Sequence, residues 1–570
     1  MKRVMTLFIC AVFTFALSSA SYAASDREVW AEHGMVSAAH KMASEAGVEI
    51  MKKGGNAVDA AVATSLALSV VEGHFTGMGG GGFMTIRDAK TGEVVFLDYR
   101  EMAPAAATKD MYASEQAKKE KWKSITGKSA GVPGWTAGMF YALEHYGTMS
   151  FAEVAEPAIR MAEEGWTVEP NQAKWYAEMS LPLMDYYDDM SSLPFINGEL
   201  PYQTGEHMTR KDLAATYKLL AEKGPKAFYE GEIGEAFVKE VQRLGGIMTM
   251  DDLKNYKIHV KKPAEGTYRG YKIYSAPPAS SGGTHIVQVL NILENFPLDK
   301  WAPDSAERQH VTAEAIRLMF ADREQYMADS DFINVPLNGL VNKDYAKSLA
   351  EKIDMKSTLK SIKAGDPWQY ETTKRVAYSG ALTGFGSNTS HFSVADADGN
   401  IVACTNTHNY VTGFVPGYGI IINNEMDDFS DNPESANAPE PGKRPLSSMA
   451  PTIVLTPDGK PFMTIGSAGA TRIMTALTLI ITNVIDYGMD MDEAINYPRF
   501  FTSTTGGKPA AYKVEDKMPQ ETLEKLKAVG ETIDIQEYGD YFGTSQGILY
   551  KDGKMNGGAD SRRLGVPVGF

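Results

Sequence analysis

The sequence predicts a layered α/β fold whose sheets draw strands from both halves of the chain. Between residue 104 and about residue 375, polar and apolar residues mostly follow a helical period, as in 212–222 and 232–244. Short strand-like runs with Gly and Asp turns then dominate, and helices return at 471–484 and 519–529. A helix-rich front half and a strand-rich back half are typical of sheets that are covered by helices.

The first predicted elements are a helix and a hairpin. Small apolar residues at 54–71 predict a buried helix. A glycine-rich run at 77–84 comes next, followed by predicted strands at 85–88 and 93–99. The glycine run lacks the Lys-Ser/Thr pair of a phosphate-binding loop. We therefore expect a tight turn at which two backbone segments approach each other closely.

Residues 1–23 resemble an export signal. Lys2 and Arg3 precede an apolar run at 4–17, and the segment ends in Ser-Tyr-Ala, a small-x-small cleavage pattern. The apolar run is too short to span a bilayer comfortably. We expect removal of this segment and an exported product, either periplasmic or secreted, without a membrane anchor.

Composition and charge limit the possible partners and cofactors. The formal net charge is −16 and no basic stripe offsets it, which argues against binding to nucleic acid or to anionic membranes. Loss of Cys10 with the signal would leave only Cys404, so no disulfide within the chain is expected. The ten histidines are scattered without metal-ligand spacing, and we expect neither a metal nor another cofactor.

A β-hairpin is predicted at 389–407. Its two runs alternate or are apolar, and the loop between them contains Asp-Gly, a strong hairpin signal. This loop places Thr389 opposite Thr407 or His408. Because alternate side chains share a strand face, the hairpin brings the two threonine hydroxyls and the amide of Asn409 to one end of the sheet.

Thr389 has two interpretations at this point. A threonine hydroxyl is a weak nucleophile unless a base lies beside it. A cut directly before Thr389 would supply that base, because the new α-amine has a reference pKa of about 7.7–8. Alternatively, Thr389 and Thr407 are ordinary cross-strand partners with high β propensity. The hairpin alone leaves both interpretations open.

Ten short segments along the chain carry a further signal. They are GGNAVDAA (54–61), GMGGGGFM (77–84), DYREMAPAAA (98–107), GVPGWTAGM (131–139), SAPPASSGGTH (275–285), NTSHFSVADADGN (388–400), NNEMDDFS (423–430), KRPLSSMAPTI (443–453), GSAGATR (466–472) and ADSRRLG (559–565). In this order they resemble the γ-glutamyltransferase family of N-terminal-nucleophile hydrolases over essentially the whole mature length.

The resemblance implies a chain that cleaves itself before its nucleophilic threonine. Here that bond is Asn388–Thr389, and Thr389 would act as nucleophile with its α-amine as base. Cleavage would give a large subunit, 24–388, and a small catalytic subunit, 389–570. The family's fold is a four-layer αββα sandwich, and we expect both subunits to form one intertwined domain.

The resemblance also assigns residues to the α-carboxylate and α-ammonium of a γ-glutamyl substrate. Arg100 corresponds to the arginine that clamps the carboxylate, for which a guanidinium fork is well suited. Ser447 and Ser448 would donate hydroxyl hydrogen bonds to the same carboxylate. Glu425 and Asp428 would receive the ammonium.

Further roles follow from the same resemblance. Asn409 would help to bind the ammonium, and Thr407 would assist both self-cleavage and catalysis. The family's oxyanion hole uses the N–H groups of a Gly-Gly pair, which corresponds here to Gly469 and Ala470. The alanine retains the required N–H, but its position must accept a β-carbon.

Two departures from the family pattern concern the surroundings of the site. A shorter stretch, 410–416, follows Asn409, and only 18 residues separate Asp428 from Ser447. A lid loop over the site needs more residues, so we expect an open site. Such a site would admit larger substrates, for example γ-linked polyglutamate or bulky acyl amides.

The expected activity is transfer of a γ-glutamyl group from glutathione or related amides to water, an amino acid or a peptide. The first alternative is an acylase on the same scaffold that accepts glutaryl-type amides without the α-ammonium. The second alternative is an uncleaved binding protein without catalytic activity. Retention of Thr389, Thr407 and Arg100 argues against the second alternative.

Overall fold

The predicted hairpin forms the middle of a seven-stranded antiparallel sheet, which we call the hairpin sheet. The pairing is confirmed: Thr389 lies opposite Thr407, and the register shifts between Asn388 and Thr389. The strands of the hairpin sheet, in spatial order, are Val566–Gly569, Gly34–Ala38, Asn388–Asp396, Ile401–Asn409, Gly81–Arg87, Val94–Tyr99 and His259–Lys261.

A second seven-stranded antiparallel sheet, the facing sheet, packs against the hairpin sheet. Its strands, in spatial order, are Val29–Ala31, Lys554–Ala559, Thr544–Lys551, Pro461–Ala468, Thr452–Leu455, Tyr271–Ser275 and Ala264–Tyr268. Both sheets therefore combine strands from before and after Thr389, as the sequence predicts.

This computed structural model describes residues 28–183, 187, 193–198, 200–372 and 388–570. The expected export signal at 1–23 lies outside the described residues. Among the helices of the described ranges, none combines the length and the apolar character that crossing a bilayer requires.

Helices cover the outer face of each sheet. Those on the side of the hairpin sheet are Lys41–Lys52, Ala57–Val71, Trp135–Tyr146, Phe151–Glu164, Pro170–Leu183, Lys211–Lys223, Lys226–Tyr229, Glu232–Arg243 and Met250–Lys254. Those on the side of the facing sheet are Gly282–Leu293, Ala306–Tyr326, Leu337–Leu340, Lys343–Ala350, Arg472–Tyr487, Met491–Asn496 and Gln520–Ala528. The four-layer αββα sandwich is thus confirmed.

Helix Ala57–Val71 illustrates how the sequence fixes this arrangement. Asn56 caps it in a capping box with Asp59, and every residue of the helix is buried. An apolar helix without a polar face belongs between layers and not at a surface. The carboxylate of Asp396 accepts a hydrogen bond from the Ala57 N–H at 2.9 Å, which joins the hairpin to the positive end of the helix.

The front half adds strands that the sequence did not predict. The stretch after residue 104 is mostly helical, as predicted, but strands His259–Lys261, Ala264–Tyr268 and Tyr271–Ser275 also lie within it. The strand expected at 85–88 already begins at Gly81, inside the glycine run. Edge strands with many exposed or half-exposed polar residues give only a weak alternation signal.

Candidate active site

The hairpin brings the two threonine hydroxyls together. The Oγ1 of Thr389 lies 3.5 Å from the Oγ1 of Thr407, at the limit of a hydrogen bond. The Thr407 hydroxyl donates to the carbonyl oxygen of Asn388 and accepts from the N–H of Asn409 at 2.7 Å. A chain of hydrogen bonds therefore runs from the Thr389 hydroxyl to the carbonyl of the preceding peptide bond.

The glycine run is packed against this end of the hairpin. A β-carbon on Gly80 would lie 2.2 Å from the carbonyl oxygen of Thr407, and one on Gly82 would lie 2.3 Å from Asn406 Oδ1. A β-carbon on Gly79 would lie 1.8 Å from the carbonyl oxygen of Ile421. The predicted close backbone approach is confirmed, and it occurs beside Thr407.

Arg563, from the ADSRRLG segment, fixes the backbone of Thr389. Its Nη1 donates to the Thr389 carbonyl oxygen at 3.1 Å. Its guanidinium lies 4.3 Å from the ring centroid of Phe75 and 5.4 Å from that of Trp175. Arg563 is not among the site residues predicted from the sequence, although it stands in the ADSRRLG segment.

Arg100 forms the centre of an acidic cluster. Its Nη1 pairs with Glu425, and its Nη2 donates to Asp428 Oδ2 at 2.5 Å. Burial disfavours the charged guanidinium, but the carboxylates of Glu425 and Asp428 outweigh it and raise the pKa of Arg100 above its ordinary value. The predicted carboxylate clamp and the predicted ammonium-binding acids therefore contact each other in the structure.

Glu101 is a third acid in the cluster, and the sequence argument missed it. Its Oε2 lies 3.8 Å from Arg100 Nη1, and the side chain is fully buried. Burial raises the pKa of Glu101 to about 7, against the opposing effect of Arg100. Burial together with the charges of Glu101 and Asp428 also holds the pKa of Glu425 well above its usual range. Both acids are therefore harder to ionise than a solvent-exposed glutamate.

The serine pair, Ser447 and Ser448, lines the same cleft as the acidic cluster. The Ser447 carbonyl oxygen accepts from the N–H and the hydroxyl of Ser281 at 2.9 and 2.8 Å, which fixes the loop. Ser448 Oγ accepts from Arg323 Nη2 at 3.2 Å. Arg323 is also not among the predicted site residues. Its sequence neighbours Asp322 and Glu324 are charged, a pattern typical of a solvent-exposed helix face.

The predicted oxyanion pair connects a strand to a helix. Gly469 and Ala470 follow strand Pro461–Ala468 and precede helix Arg472–Tyr487. Both have positive φ, 135° and 53°, so Ala470 adopts the left-handed conformation that a β-carbon disfavours. A β-carbon on Gly469 would lie 2.8 Å from Gly543 Cα.

These groups surround one cleft, whose empty space of about 370 Å³ includes the part that is open to solvent. Nine of the eleven predicted site residues line it; Gly469 and Asn388 do not. The lining residues are Arg100, Arg323, Thr389, Thr407, Asn409, Glu425, Asp428, Leu446, Ser447, Ser448, Met449, Ala470, Thr471 and Ile473.

The segment between Asp428 and Ser447 folds back on itself. The Ser430 N–H donates to the Asn437 carbonyl oxygen at 2.8 Å, and Asn437 Nδ2 donates to the Asp428 carbonyl oxygen at 2.7 Å. Of this segment, only Leu446 lines the cleft. The segment therefore forms a packed wall beside the site.

One group of metal-ligating side chains is present among the described residues, away from the lining of the cleft. His310, Glu314 and Glu531 are buried and close enough to share an ion. Arg317 already pairs with both carboxylates, at 2.5 Å to Glu314 and 2.6 Å to Glu531. Its guanidinium supplies the positive charge that a cation would bring.

Comparisons with known proteins agree with this architecture. The sequence profile of the family described as Gamma-glutamyltranspeptidase matches residues 43–570. A glutathione hydrolase proenzyme of Escherichia coli (strain K12) is 41% identical over 553 residues, 94% of this chain and 91% of that protein.

Two solved structures extend the comparison to the fold. A cephalosporin acylase from Bacillus halodurans has a TM-score of 0.84 at 26% identity, covering 98% of this chain and 99% of that chain. A gamma-glutamyltranspeptidase chain from Helicobacter pylori has a TM-score of 0.56 at 40% identity, covering 59% of this chain and 96% of that one.

The four-layer sandwich is of the N-terminal-nucleophile hydrolase type, as the resemblance implies. Within that class, the chain belongs to the gamma-glutamyltranspeptidase family. Hydrolase or transferase activity toward glutathione or other γ-glutamyl compounds follows from this membership at the level of the family.

Proposed function

We propose that this protein is an exported, self-cleaving γ-glutamyl hydrolase and transferase whose nucleophile is Thr389. The observation that carries the proposal is the contact between Thr389 and Thr407 at the wall of a cleft that also contains Arg100, Glu425 and Asp428. A hydroxyl nucleophile and a charged subsite thus share one small space.

Self-cleavage is the first step. The Thr389 hydroxyl attacks the carbonyl carbon of Asn388, and the Thr407 hydroxyl, already bound to that carbonyl oxygen, stabilises the negative charge that develops there. The C–N bond breaks as the nitrogen takes up a proton, which frees the α-amine of Thr389 and leaves an ester between Asn388 and the Thr389 oxygen. Water hydrolyses the ester, which releases the Asn388 carboxylate and frees the hydroxyl of Thr389. The products are the segments 24–388 and 389–570.

Catalysis repeats this chemistry on the substrate. The freed α-amine accepts the hydroxyl proton while Thr389 Oγ1 attacks the γ-carbonyl carbon. The N–H groups of Gly469 and Ala470 stabilise the oxyanion, each contributing about 3 kcal/mol. The amine leaves with a proton, and a γ-glutamyl ester remains on Thr389. Water, an amino acid or a peptide amine then receives the γ-glutamyl group, so kinetics of the ping-pong type are expected.

Recognition of the γ-glutamyl group rests on its two charges. Glu425 and Asp428 offer carboxylates to the α-ammonium, with the amide of Asn409 at the hairpin end beside them. The α-carboxylate binds on the side of Ser447 and Ser448. Part of the charge of Arg100 is freed for the substrate when the ammonium engages the acids.

An acylase that takes glutaryl-type amides is the second candidate. The similar fold of the Bacillus halodurans cephalosporin acylase favours it. A glutaryl group has no ammonium, however, and would bring no positive charge to Glu425 and Asp428 beyond that of Arg100, with which they already pair. We therefore rank the γ-glutamyl substrate first.

Intact mass, N-terminal sequencing and an amide assay test the proposal together. Purified protein is incubated and its masses are measured, with Thr389→Ala as the uncleavable control. Two fragments, the smaller beginning Thr-Ser-His-Phe, and hydrolysis of γ-glutamyl-p-nitroanilide faster than glutaryl-p-nitroanilide would support the proposal. Equal rates on both amides would favour the acylase, and a single uncut, inactive chain would favour a binding protein.

A further inference from the structure

Arg323 is a buried cation in the cleft that pairs with no carboxylate among the residues the structure describes. It lies on helix Ala306–Tyr326, lines the cleft and is only 2% exposed. Its Nε donates to Ser281 Oγ at 2.8 Å, and its Nη2 donates to Ser448 Oγ at 3.2 Å. Within the part of the chain that the structure describes, Nη1 has no hydrogen-bond partner, and no carboxylate lies within 4.0 Å of the guanidinium.

The two arginines of the cleft therefore differ in their charge balance. Arg100 pairs with Glu425 and Asp428, whereas the partners of Arg323 in the described ranges are the hydroxyls of two serines. Burial lowers the pKa of Arg323 to about 10, against the raising effect of Asp428 and Glu324. A buried guanidinium without a counterion is costly, and that cost disappears when an anion binds beside it.

Ser448 extends this effect into the cleft. A serine hydroxyl has one hydrogen to donate and two lone pairs that accept. Because Arg323 donates to Ser448 Oγ, the serine proton must point to another acceptor. Among the described residues Ser448 Oγ donates to none, so its proton is available to a ligand oxygen in the cleft. Because the charged Arg323 donates to Ser448 Oγ, it also strengthens the hydrogen bond that the Ser448 hydroxyl would donate to a ligand.

We infer that Arg323 is the second cation of the substrate carboxylate subsite and a determinant of specificity for γ-glutamyl over uncarboxylated acyl groups. It acts through the Ser448 hydroxyl that it positions and through the charge at its unpaired Nη1. The inference rests on the proposed function for the identity of the substrate. It also changes the division of labour: Arg100 chiefly holds the acids that bind the ammonium, and Arg323 receives the carboxylate.

The test compares two substrates that differ only in the carboxylate. γ-Glutamyl-p-nitroanilide carries it, whereas 4-aminobutyryl-p-nitroanilide has a hydrogen in its place and retains the ammonium. For Arg323→Gln, we expect KM for the γ-glutamyl substrate to rise about 100-fold while kcat changes far less. On the aminobutyryl substrate kcat/KM should change by less than about 3-fold. Arg323→Lys should recover part of the loss, because it restores the charge but not the fork.

Arg308→Gln is the matched control, because Arg308 is equally buried on the same helix but bonds Pro303, Thr482 and Asn483 outside the cleft. Arg308→Gln should change kcat/KM for the two substrates by the same factor. If Arg323→Gln also lowers both kcat/KM values by the same factor, Arg323 is merely structural and the inference is wrong. Should Arg323→Gln fail to fold, Ser448→Ala decides by the same comparison of substrates.

A binding measurement separates failure of the inference from failure of the proposed function. Calorimetric titration of the wild-type protein with L-glutamate and with 4-aminobutyrate needs no turnover. Wild-type protein that hydrolyses neither anilide would overturn the proposed function. Tighter binding of L-glutamate that is lost in Ser448→Ala and Arg323→Gln, and partly kept in Arg323→Lys, would still support the carboxylate subsite. Equal binding of both compounds would overturn it.

Discussion

Thr407 lies opposite Thr389 and donates its hydroxyl proton to the carbonyl of Asn388, the residue directly before Thr389. One hydroxyl is thus placed to act on the peptide bond that we propose to be cut and to remain beside the nucleophile afterwards. The same two residues are cross-strand neighbours, so their separation is set by strand pairing and not by flexible side chains.

Replacement of Thr407 by Val should stop self-cleavage without disturbing the hairpin. Valine keeps the branched shape and the β propensity but cannot donate to the Asn388 carbonyl. We expect cleavage to slow by about 100-fold or more, as for loss of one oxyanion donor. A time course of fragment formation on denaturing gels measures this. Thr407→Ser is the control and should cleave; a Val variant as fast as wild type would contradict the role of the hydroxyl.

The ammonium-binding acids should give the enzyme a pH-dependent preference between substrates. Because the pKa of Glu101 is raised to about 7, the cluster gains negative charge only as pH rises through that value. We expect kcat/KM for a γ-glutamyl amide, divided by that for a glutaryl amide, to fall up to about tenfold per unit below pH 7 and to level off above it. Titration of the Thr389 amine affects kcat/KM for both substrates equally, so it cancels in the ratio.

Glu101→Gln provides the control for that experiment and a stability measurement. The folded-state pKa of Glu101 lies above its unfolded value, so the neutral acid stabilises the fold fully below about pH 4.5. That contribution is lost as pH rises to about 7. Thermal unfolding of the Gln variant should therefore depend less on pH in this window, and its substrate ratio should be flatter. An unchanged ratio profile would rule out Glu101 as the titrating group.

Removal of the Arg100 charge should destabilise the whole protein. Arg100→Met would remove the guanidinium from the buried acids Glu101 and Glu425 and the half-buried Asp428, and breaking a buried ion pair from one side costs about 3–5 kcal/mol. Denaturant unfolding monitored by circular dichroism measures the change. Arg160→Met is the comparison, since Arg160 is 41% exposed and its pairs with Glu49 and Glu156 should contribute about 0–1 kcal/mol. Similar losses in both variants would contradict the buried cluster.

The turn before helix Arg472–Tyr487 should tolerate substitution of Ala470 by Gly but not substitution of Gly469 by Ala. Ala470→Gly keeps the N–H and removes a β-carbon from the left-handed region, so stability should change by about 1 kcal/mol or less and kcat should hold. Gly469→Ala places a β-carbon 2.8 Å from Gly543 Cα and must move the backbone. We expect it to lose more than about 1 kcal/mol and most of its activity. Amide hydrolysis and melting curves of both variants decide this, and a fully active Gly469→Ala would contradict it.

The sequence predicted the hairpin register because its determinants are local. An Asp-Gly loop and two alternating runs fix which residues face each other, and Thr389 opposite Thr407 is confirmed. The long back-half helices were also predicted, since helix 471–484 differs from Arg472–Tyr487 only at its ends. Roles that depended on the family resemblance, including those of Ser447 and Asn409, stay predictions.

Arg323 and Glu101 could not be recognised from local pattern. Arg323 stands between Asp322 and Glu324, which reads as a charged outer face. Helix Ala306–Tyr326 is instead buried on all sides along most of its length, because it packs against helices Gly282–Leu293 and Gln520–Ala528 and against the short strand Thr504–Thr505. Glu101 likewise owes its raised pKa to burial in the folded protein. Whether a charged side chain is buried depends on how the helices and sheets pack, which a short stretch of sequence does not reveal.

Strands from before and after Thr389 pair with each other in both sheets: Gly34–Ala38 lies beside Asn388–Asp396, and Thr452–Leu455 lies beside Tyr271–Ser275. A cut at Asn388–Thr389 would therefore yield two polypeptides, neither of which holds a complete sheet. Pulling them apart would expose unpaired edges along four or more strands, and such edges aggregate. Maturation would thus be a one-way event, after which the loss of either piece destroys the protein permanently and the lifetime of the enzyme is set by its unfolding rate.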